Sequence, residues 1–293
     1  MSPPAKFITR FAPSPTGLLH MGHAYSALVA YRQAQAKGGQ FLLRIEDIDR
    51  GRCRPEFTEA IYEDLAWLGL TWEEPVRVQS EHFPDYQAAL QTLKEMCIAY
   101  PCFCTRKDIQ KEISRAPSAP HGPEGPVYPG TCRDIEPTEA LNRIAGGDSH
   151  AWRLNLGAAL EITGPTLAWH DQIGGLIAAD PHALGDVVLA RKDTPTSYHL
   201  SVVTDDALQE VTHIIRGQDL FHATHIHVVL QKLLDLPTPL YHHHKLLTDS
   251  DGKRFAKRDK SVTLAQLRDS GTDPEKLVKS LLNQTSAQGQ AAT

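Results

Sequence analysis

The chain has 293 residues, 41% hydrophobic and 22% charged, which is enough apolar material for a substantial globular core. Its formal net charge of −5 excludes a general affinity for nucleic acid, so any contact with a polyanion requires a local basic surface. No stretch approaches the roughly 18 continuous apolar residues of a membrane span, and residues 1–10 lack the apolar segment of a signal peptide, so we expect a cytoplasmic protein.

The N-terminal third alternates short apolar runs with helical patterns. Residues 7–11 predict a strand, 13–17 a turn and 20–37 a helix. A second buried strand is predicted at 41–45 and a second helix at 55–68. Strands that alternate with helices favour an α/β fold with a parallel, doubly wound sheet, whose ligands lie at the carboxyl ends of the strands.

Two histidines, His20 and His23, open the first predicted helix directly after the Pro- and Gly-rich turn. Because they are three residues apart, they share one face at the positive end of the helix dipole. Gly22 leaves room for a nucleotide against the backbone, and the helix N-terminus offers unsatisfied N–H groups to an anion. A bare pair of this kind is more often an ordinary surface feature, so the surrounding residues decide whether it binds phosphate.

The chain carries five cysteines at irregular spacings, which argues against a disulfide framework. Three of them flank a segment at 116–130 with five prolines and three glycines, namely Cys102, Cys104 and Cys132. We expect little regular structure in that segment, which would gain stability from a structural zinc ion. Zinc needs four ligands, and on chemistry alone His121 or Cys97 would supply the fourth. Three unrelated buried thiols are the alternative.

Regular structure is predicted to return in the second half of the chain, with apolar runs at 187–190, 200–203 and 211–215 and a helix at 222–234. Arg216 directly follows the third run. Burying this guanidinium without a carboxylate partner would be costly, which favours a binding pocket over a surface position. Three consecutive histidines at 242–244 point to alternate faces of an extended segment, so we expect a solvated or partly packed run and no metal site.

A basic segment lies near the C-terminus. Five of the eight residues from 253 to 260 are basic, and they follow a turn-like Asp-Ser-Asp-Gly sequence. Taken alone, a charge run of this kind is usually a solvated face.

Three segments closely resemble the first half of the glutamyl branch of the class I aminoacyl-tRNA synthetases: residues 10–17 (RFAPSPTG), 20–23 (HMGH) and 44–49 (RIEDID). Residues 254–258 (RFAKR) are similar to the mobile Lys-x-Ser-Lys loop of class I enzymes, although Arg254 replaces the first lysine and Ala256 the serine. The resemblance implies a Rossmann-like, parallel-sheet catalytic domain with an inserted zinc-binding α+β subdomain.

The resemblance also implies roles for individual residues. Catalysis would fall to His20, His23 and Lys257, which stabilise charge on the α-phosphate of ATP, with Mg²⁺ on the pyrophosphate. The ATP contacts would be His20, Gly22, His23, Arg254 and Lys257. The positions that bind L-glutamate would be Arg10, Ser14, Glu46, Tyr198 and Arg216, with Glu46 on the α-ammonium group. The fourth zinc ligand would be Tyr128, in place of His121 or Cys97.

The resemblance covers nearly the whole chain and divides it into four regions. Residues 1–101 and 191–240 would form the two halves of the catalytic domain, 102–190 the inserted zinc-binding subdomain, and 241–293 the basic ATP loop with a short helical region. Only 35 residues follow Arg258, which leaves little room for an anticodon-binding domain. Together with the cysteine pattern and the RFAKR loop, this resemblance implies a short paralogue, expected to be a monomer, that attaches glutamate to the queuosine base in the anticodon stem-loop of tRNA(Asp).

Two other functions compete with this interpretation. A truncated or discriminating glutamyl-tRNA synthetase would charge the 3′ end of tRNA, and tRNA that lacks queuosine would distinguish it. A non-catalytic, synthetase-like tRNA-binding module is the alternative from another class. The presence of both histidines, Glu46 and Lys257 argues against the module.

Overall fold

The computed structural model describes residues 6–115, 121–122, 125–247 and 262–289. The strands in this part of the chain are β1 (Ile8–Phe11), β2 (Gln40–Ile45), β3 (Glu73–Val78), β4 (Ala99–Cys102), β5 (His121–Gly122), β6 (Gly125–Pro126), β7 (Ala151–Leu154), β8 (Ala168–Asp171), β9 (Gly175–Ala178), β10 (Val188–Ala190), β11 (His213–Gly217) and β12 (Leu240–His244). The α-helices are α1 (Met21–Ala36), α2 (Pro55–Trp67), α3 (Phe83–Glu95), α4 (Arg106–Arg115), α5 (Pro137–Ala145), α6 (Leu156–Thr163), α7 (Tyr198–Leu208), α8 (Ala223–Leu233), α9 (Leu264–Asp269) and α10 (Pro274–Gly289).

Two groups of parallel strands lie side by side in the structure. One has the order β1-β2-β3, and in the other β11, β12 and β8 are parallel while β9 is antiparallel. The groups join where the Thr212 N–H donates to the Ile8 carbonyl at 3.0 Å and the Ile8 N–H donates to Thr212 Oγ1 at 2.9 Å. The strand order runs outward from this junction in both directions, which makes it the topological switch point where ligands bind in open α/β sheets.

Helix α1 fixes the position of the histidine pair. His20 is its N-cap, and the His20 side chain accepts a hydrogen bond from the Gly22 N–H. The helix ends before Gly38, whose φ of +59° favours glycine. Between these ends, small side chains such as Ala24 and Ala27 are buried against the sheet, so the start of α1 lies close to the carboxyl end of β1.

A separate antiparallel sheet has the order β10-β7-β4. Residues 121–126 were expected to lack regular structure, and this expectation is wrong in part because β5 and β6 form a short antiparallel pair there. The apolar run at 200–203 lies inside helix α7, where both sides of the chain are covered. At the C-terminal end of the described chain, α9 contacts α2 and α10 contacts α1.

Among the described residues, no helix combines the length and the apolar character that a membrane crossing requires.

Candidate active site

A cavity of about 550 Å³ opens at the carboxyl ends of β1 and β11, and we call it the activation cavity. It is lined by eight of the side chains or backbone positions that the sequence singled out, from four separate parts of the chain: Arg10, Ser14, His20, Gly22, His23, Glu46, Tyr198 and Arg216. The fold thus brings together residues up to 206 positions apart, from Arg10 to Arg216. The individual roles of these residues remain predictions.

The two histidines of α1 stack on each other, with ring centroids 3.8 Å apart. The Nδ1 atom of His20 accepts from the Gly22 N–H at 3.1 Å, and Nδ1 of His23 accepts from the His20 N–H at 3.2 Å. A nitrogen that accepts cannot carry a proton, so each neutral ring carries its proton on Nε2. Both rings are therefore N–H donors, which suits contact with phosphate oxygens.

The basic segment with Arg254 and Lys257 lies outside the described residues. The described chain reaches Leu247, which lines the activation cavity, and resumes at residue 262. Directly afterwards Thr263 forms an antiparallel bridge with His20, and the Leu264 N–H donates to the Leu19 carbonyl at 2.8 Å. Both flanks of the basic segment are thus at the activation cavity.

A buried network of charges underlies the cavity. Asp206 of α7 accepts from Arg10 Nε at 2.9 Å and from Arg44 Nη1 at 2.8 Å, while Arg44 Nη2 lies 3.1 Å from Glu46 Oε1. Burial opposes the ionisation of Asp206, but the two guanidinium groups outweigh it and hold its pKa below the usual range. Sequence reasoning did not single out Asp206, because its partners are 162 and 196 residues away.

The pKa of Glu46 is shifted in the opposite direction to that of Asp206. Burial raises the pKa of its carboxyl group above the usual value, against the pull of Arg44 and Arg10. A further cation beside Glu46 would therefore stabilise the ionised carboxylate. An α-ammonium group in the activation cavity is a cation of that kind.

The neighbouring carboxylate, Asp205, holds α7 in place. It is fully buried and accepts hydrogen bonds from Arg77 Nε at 2.7 Å, from Gln79 Nε2 at 2.8 Å and from Tyr86 Oη at 2.9 Å. These donors come from β3, α3 and the turn between them. They anchor the helix that carries both Tyr198 and Asp206 to β3 and α3.

Arg216 is a buried cation that faces the activation cavity. Its guanidinium donates to Thr224 Oγ1 at 2.7 Å, to His243 Nε2 at 3.1 Å and to Tyr198 Oη at 3.4 Å. Within the described residues no carboxylate forms an ion pair with it. The expected carboxylate partner of a buried arginine is thus not supplied by this part of the chain, which favours an anionic ligand.

The middle histidine of the 242–244 tract orients Arg216. His243 Nδ1 lies 2.6 Å from Asp171 Oδ2, so Nδ1 carries the proton and Nε2 accepts from Arg216. Burial and the nearby Arg216 charge lower the pKa of His243 to about 4, although Asp171 opposes this. His243 is therefore neutral at physiological pH. We expected a solvated or partly packed run at 242–244, and the structure shows that His243 and His244 are buried.

The three predicted cysteine ligands converge in the inserted region. The sulfur atoms of Cys102, Cys104 and Cys132 lie within 4.8 Å of one another. The Tyr128 hydroxyl lies 3.3 Å from Cys102 Sγ and 3.6 Å from Cys104 Sγ, which agrees with the choice of Tyr128 as fourth ligand. Cys97, one of the two alternatives, is exposed and outside this group, and the side chain of His121, the other, lies outside the described part of the structure.

The donor set fits a zinc ion. Three thiolates match the preference of Zn²⁺ for sulfur, and the Tyr128 oxygen would complete a four-coordinate set. Burial raises the pKa of the Cys104 thiol to about 11, and a divalent cation at the centre of the group would reverse this by stabilising the thiolates.

Comparison with known proteins agrees with the geometry of the site. The family model described as tRNA synthetases class I (E and Q), catalytic domain, matches residues 6–290. A glutamyl-Q tRNA(Asp) synthetase of Rhodobacter capsulatus is 51% identical over 276 residues, which cover 91% of this chain and 96% of the relative. That of Symbiobacterium thermophilum is 43% identical over 279 residues, which cover 92% and 83%.

Solved structures of longer proteins share the fold. The crystal structure of a glutamate-tRNA synthetase from Elizabethkingia anophelis matches with a TM-score of 0.80 at 26% identity. The match covers 94% of this chain, which spans only 61% of the longer protein. The chain belongs to the family of class I tRNA synthetases (E and Q), catalytic domain, and within it to the glutamyl-Q tRNA(Asp) synthetases.

Proposed function

We propose that the chain activates L-glutamate with ATP and transfers the glutamyl group to the queuosine base in the anticodon of tRNA(Asp). The observation that carries the activation step is Arg216, a buried guanidinium on the activation cavity without a carboxylate partner among the described residues. The acceptor follows from the two relatives named glutamyl-Q tRNA(Asp) synthetase, which this chain matches over most of their lengths.

Glutamate brings two carboxylates and one ammonium group, and the cavity offers complementary charges. Glu46 is suited to the ammonium group, because its buried carboxylate is stabilised by added positive charge. Arg216 is suited to a carboxylate, because it can donate two parallel hydrogen bonds to one. Ser14 lines the same cavity and offers a hydroxyl group.

In the first step the α-carboxylate oxygen of glutamate forms a bond to the α-phosphorus of ATP. The bond from that phosphorus to the bridging oxygen breaks, and pyrophosphate leaves with the electron pair. No protein nucleophile is needed, so catalysis depends on positioning and on stabilising charge. His20 and His23 would donate N–H groups to the phosphate oxygens, and Lys257 would add a cation, with Mg²⁺ bound by the pyrophosphate.

In the second step a hydroxyl oxygen of the queuosine cyclopentene ring attacks the acyl carbon of glutamyl-adenylate. The bond from that carbon to the adenylate oxygen breaks, AMP leaves, and the hydroxyl group gives up its proton. We infer that Zn²⁺, bound by Cys102, Cys104, Tyr128 and Cys132, holds the inserted region in shape for RNA and takes no part in either step.

The test is glutamylation of tRNA(Asp) with and without queuosine, together with ATP–pyrophosphate exchange across the twenty amino acids. Exchange should be specific for glutamate, and transfer should occur only to the modified tRNA. Glutamylation of unmodified tRNA would instead indicate a truncated synthetase that charges the 3′ end. If no amino acid supports exchange, the chain is a binding module.

Lys257→Ala tests the predicted cation of the basic segment. The substitution should slow glutamate-dependent pyrophosphate exchange by about two orders of magnitude or more, because a fixed ammonium group stabilises the charge that builds on the phosphates. The melting temperature should not change. Lys260→Ala is the matched control, since it removes a nearby charge outside the segment that resembles the class I loop, and its exchange rate should stay close to that of the parent.

A further inference from the structure

Two further cavities continue from the activation cavity across the molecule. The first, which we call the middle cavity, has a volume of about 820 Å³ and shares Tyr198 with the activation cavity. The second, which we call the outer groove, has a volume of about 370 Å³ and shares Arg191 and Lys192 with the middle cavity. The shared lining residues place the three spaces next to one another, in the order in which a ligand that extends from the activation cavity would meet them.

The outer groove is basic, although the chain as a whole carries a net charge of −5. Its charged lining consists of Lys94, Arg191 and Lys192, and within the described part of the chain no Asp or Glu lines it. Arg191 is partly neutralised, with Asp49 and Asp193 each 3.3 Å away. The two lysines form no ion pair among the described residues, so the groove presents a net positive charge to an anionic ligand.

Aromatic rings line the same groove. The Lys94 ammonium group lies 3.7 Å from the centroid of the Trp152 ring, a distance typical of a cation–π contact. His150 packs edge-on against Trp152, with centroids 5.5 Å apart, and both rings line the groove. Cations next to partly exposed aromatic rings are the combination that binds the backbone and bases of single-stranded RNA.

We propose that the outer groove binds the RNA backbone next to the acceptor nucleoside, with Lys94 and Lys192 on phosphates and the Trp152–His150 pair beside an unstacked base. The inference rests on the proposed function, in which a loop nucleotide of tRNA enters the activation cavity. An anticodon loop suits this path, because its nucleotides are single-stranded and can splay apart along consecutive pockets. An acidic peptide could also bind the lysines, but its carboxylates would not stack on the aromatic rings.

The test compares charge reversals in the groove with one elsewhere. Lys94→Glu and Lys192→Glu are each expected to weaken the binding of tRNA(Asp) roughly tenfold at low salt, and to reduce the slope of log K against log salt by about one. Lys232→Glu is the matched control, because Lys232 is exposed on α8 and lines none of the three cavities. It makes the same change in net charge and should leave both quantities unchanged.

Steady-state kinetics separates the groove from the activation cavity. In the groove variants the KM for tRNA should rise while kcat at saturating tRNA and the KM values for ATP and glutamate stay near those of the parent. The proposal is wrong if the variants bind tRNA with the affinity and salt dependence of the parent, or if the parent binds an acidic peptide in the groove in place of RNA. Binding is measured with both modified and unmodified tRNA, and it does not depend on where the glutamyl group is attached. Glutamylation of unmodified tRNA would therefore overturn the queuosine assignment without deciding whether the groove binds RNA.

Discussion

The activation cavity and the cysteine group hold their polar atoms in different ways. In the cavity, Arg10 and Arg44 are tied to Asp206 and Glu46 within 3.1 Å, so charges of opposite sign stabilise each other inside the sheet. In the cysteine group, the sulfur atoms of Cys102, Cys104 and Cys132 lie within 4.8 Å of one another, and among the described residues none of them forms an ion pair. The charges of the first site are thus paired within the protein, whereas the sulfur atoms of the second form a set that a metal ion could join.

The difference follows from what surrounds each site. The activation cavity rests on a large apolar cluster that includes α1, β1 and β2, and this packing fixes the positions of its charges. The apolar cluster around the cysteines has three buried members in the described chain, Cys102, Tyr128 and Cys132, with four partly buried side chains packed against them. With so small a core, the binding free energy of a metal becomes folding free energy.

The largest expected effect comes from breaking the buried charge network. Arg44→Met should lower the free energy of unfolding by about 3–5 kcal/mol, because it leaves Asp206 and Glu46 buried with one guanidinium group fewer. Urea denaturation measures this loss. Arg52→Met is the matched control, since Arg52 pairs with Asp49 at 2.7 Å but is 72% exposed, and a surface pair contributes about 1 kcal/mol or less. Equal losses in the two variants would mean that the network does not hold the cavity.

The next largest expected effect is a loss of zinc affinity at the cysteine group. Tyr128→Phe should weaken zinc affinity by at least about tenfold, since even the loss of an outer-shell partner has an effect of that size. Competition with a colorimetric chelator measures the affinity, and the parent should contain one zinc ion per chain. Cys97→Ser is the control and should keep full affinity. If Tyr128→Phe keeps parental affinity, the fourth ligand lies elsewhere, and His121→Ala becomes the variant to test.

The same two sites show how far sequence reasoning reaches. The short motifs around His20, Glu46 and Arg216 predicted the residues that line one cavity, because each motif sits at the end of a strand or the start of a helix. Asp205 and Asp206 could not be found in this way. They lie inside α7, and their partners are at least 119 residues distant. Local periodicity carries no information about such pairs.

The histidine tract was also misjudged for a physical reason. Alternation along an extended segment correctly separates the faces of neighbouring side chains, but it does not say whether a second layer covers both faces. Helices cover both faces of β12: His244 Nε2 lies 3.1 Å from Ser26 Oγ of α1, and His243 Nε2 lies 3.2 Å from Thr224 Oγ1 of α8. Only the strand order, which depends on contacts between distant segments, reveals Asp171 and Arg216 as the partners of His243.

A smaller effect is expected in the pH dependence of stability. Burial, with the nearby Arg216 charge, lowers the pKa of folded His243 to about 4, whereas an unfolded histidine has a pKa of about 6.5. Between these values the unfolded chain binds more protons, so this contribution to stability is complete above about pH 6.5 and is lost as the pH falls toward 4. His243→Asn should flatten the dependence of unfolding free energy on pH in that window, by at most about 1.4 kcal/mol per pH unit. An unchanged slope would mean that His243 titrates normally.

The smallest expected effect concerns the role of His243 in orienting the Arg216 guanidinium group. The amide of Asn can replace Nδ1 and keep the bond to Asp171, whereas the amide of Gln reaches the position of Nε2 and can accept from Arg216. We therefore expect His243→Asn to raise the KM for glutamate several-fold with little change in kcat, and His243→Gln to restore most of the loss. A purely structural role would instead give the two variants equal KM values, because both remove the ring from the same buried position. The ratio of their KM values thus reports whether the orientation of one guanidinium group, rather than packing alone, prepares the activation cavity for its carboxylate.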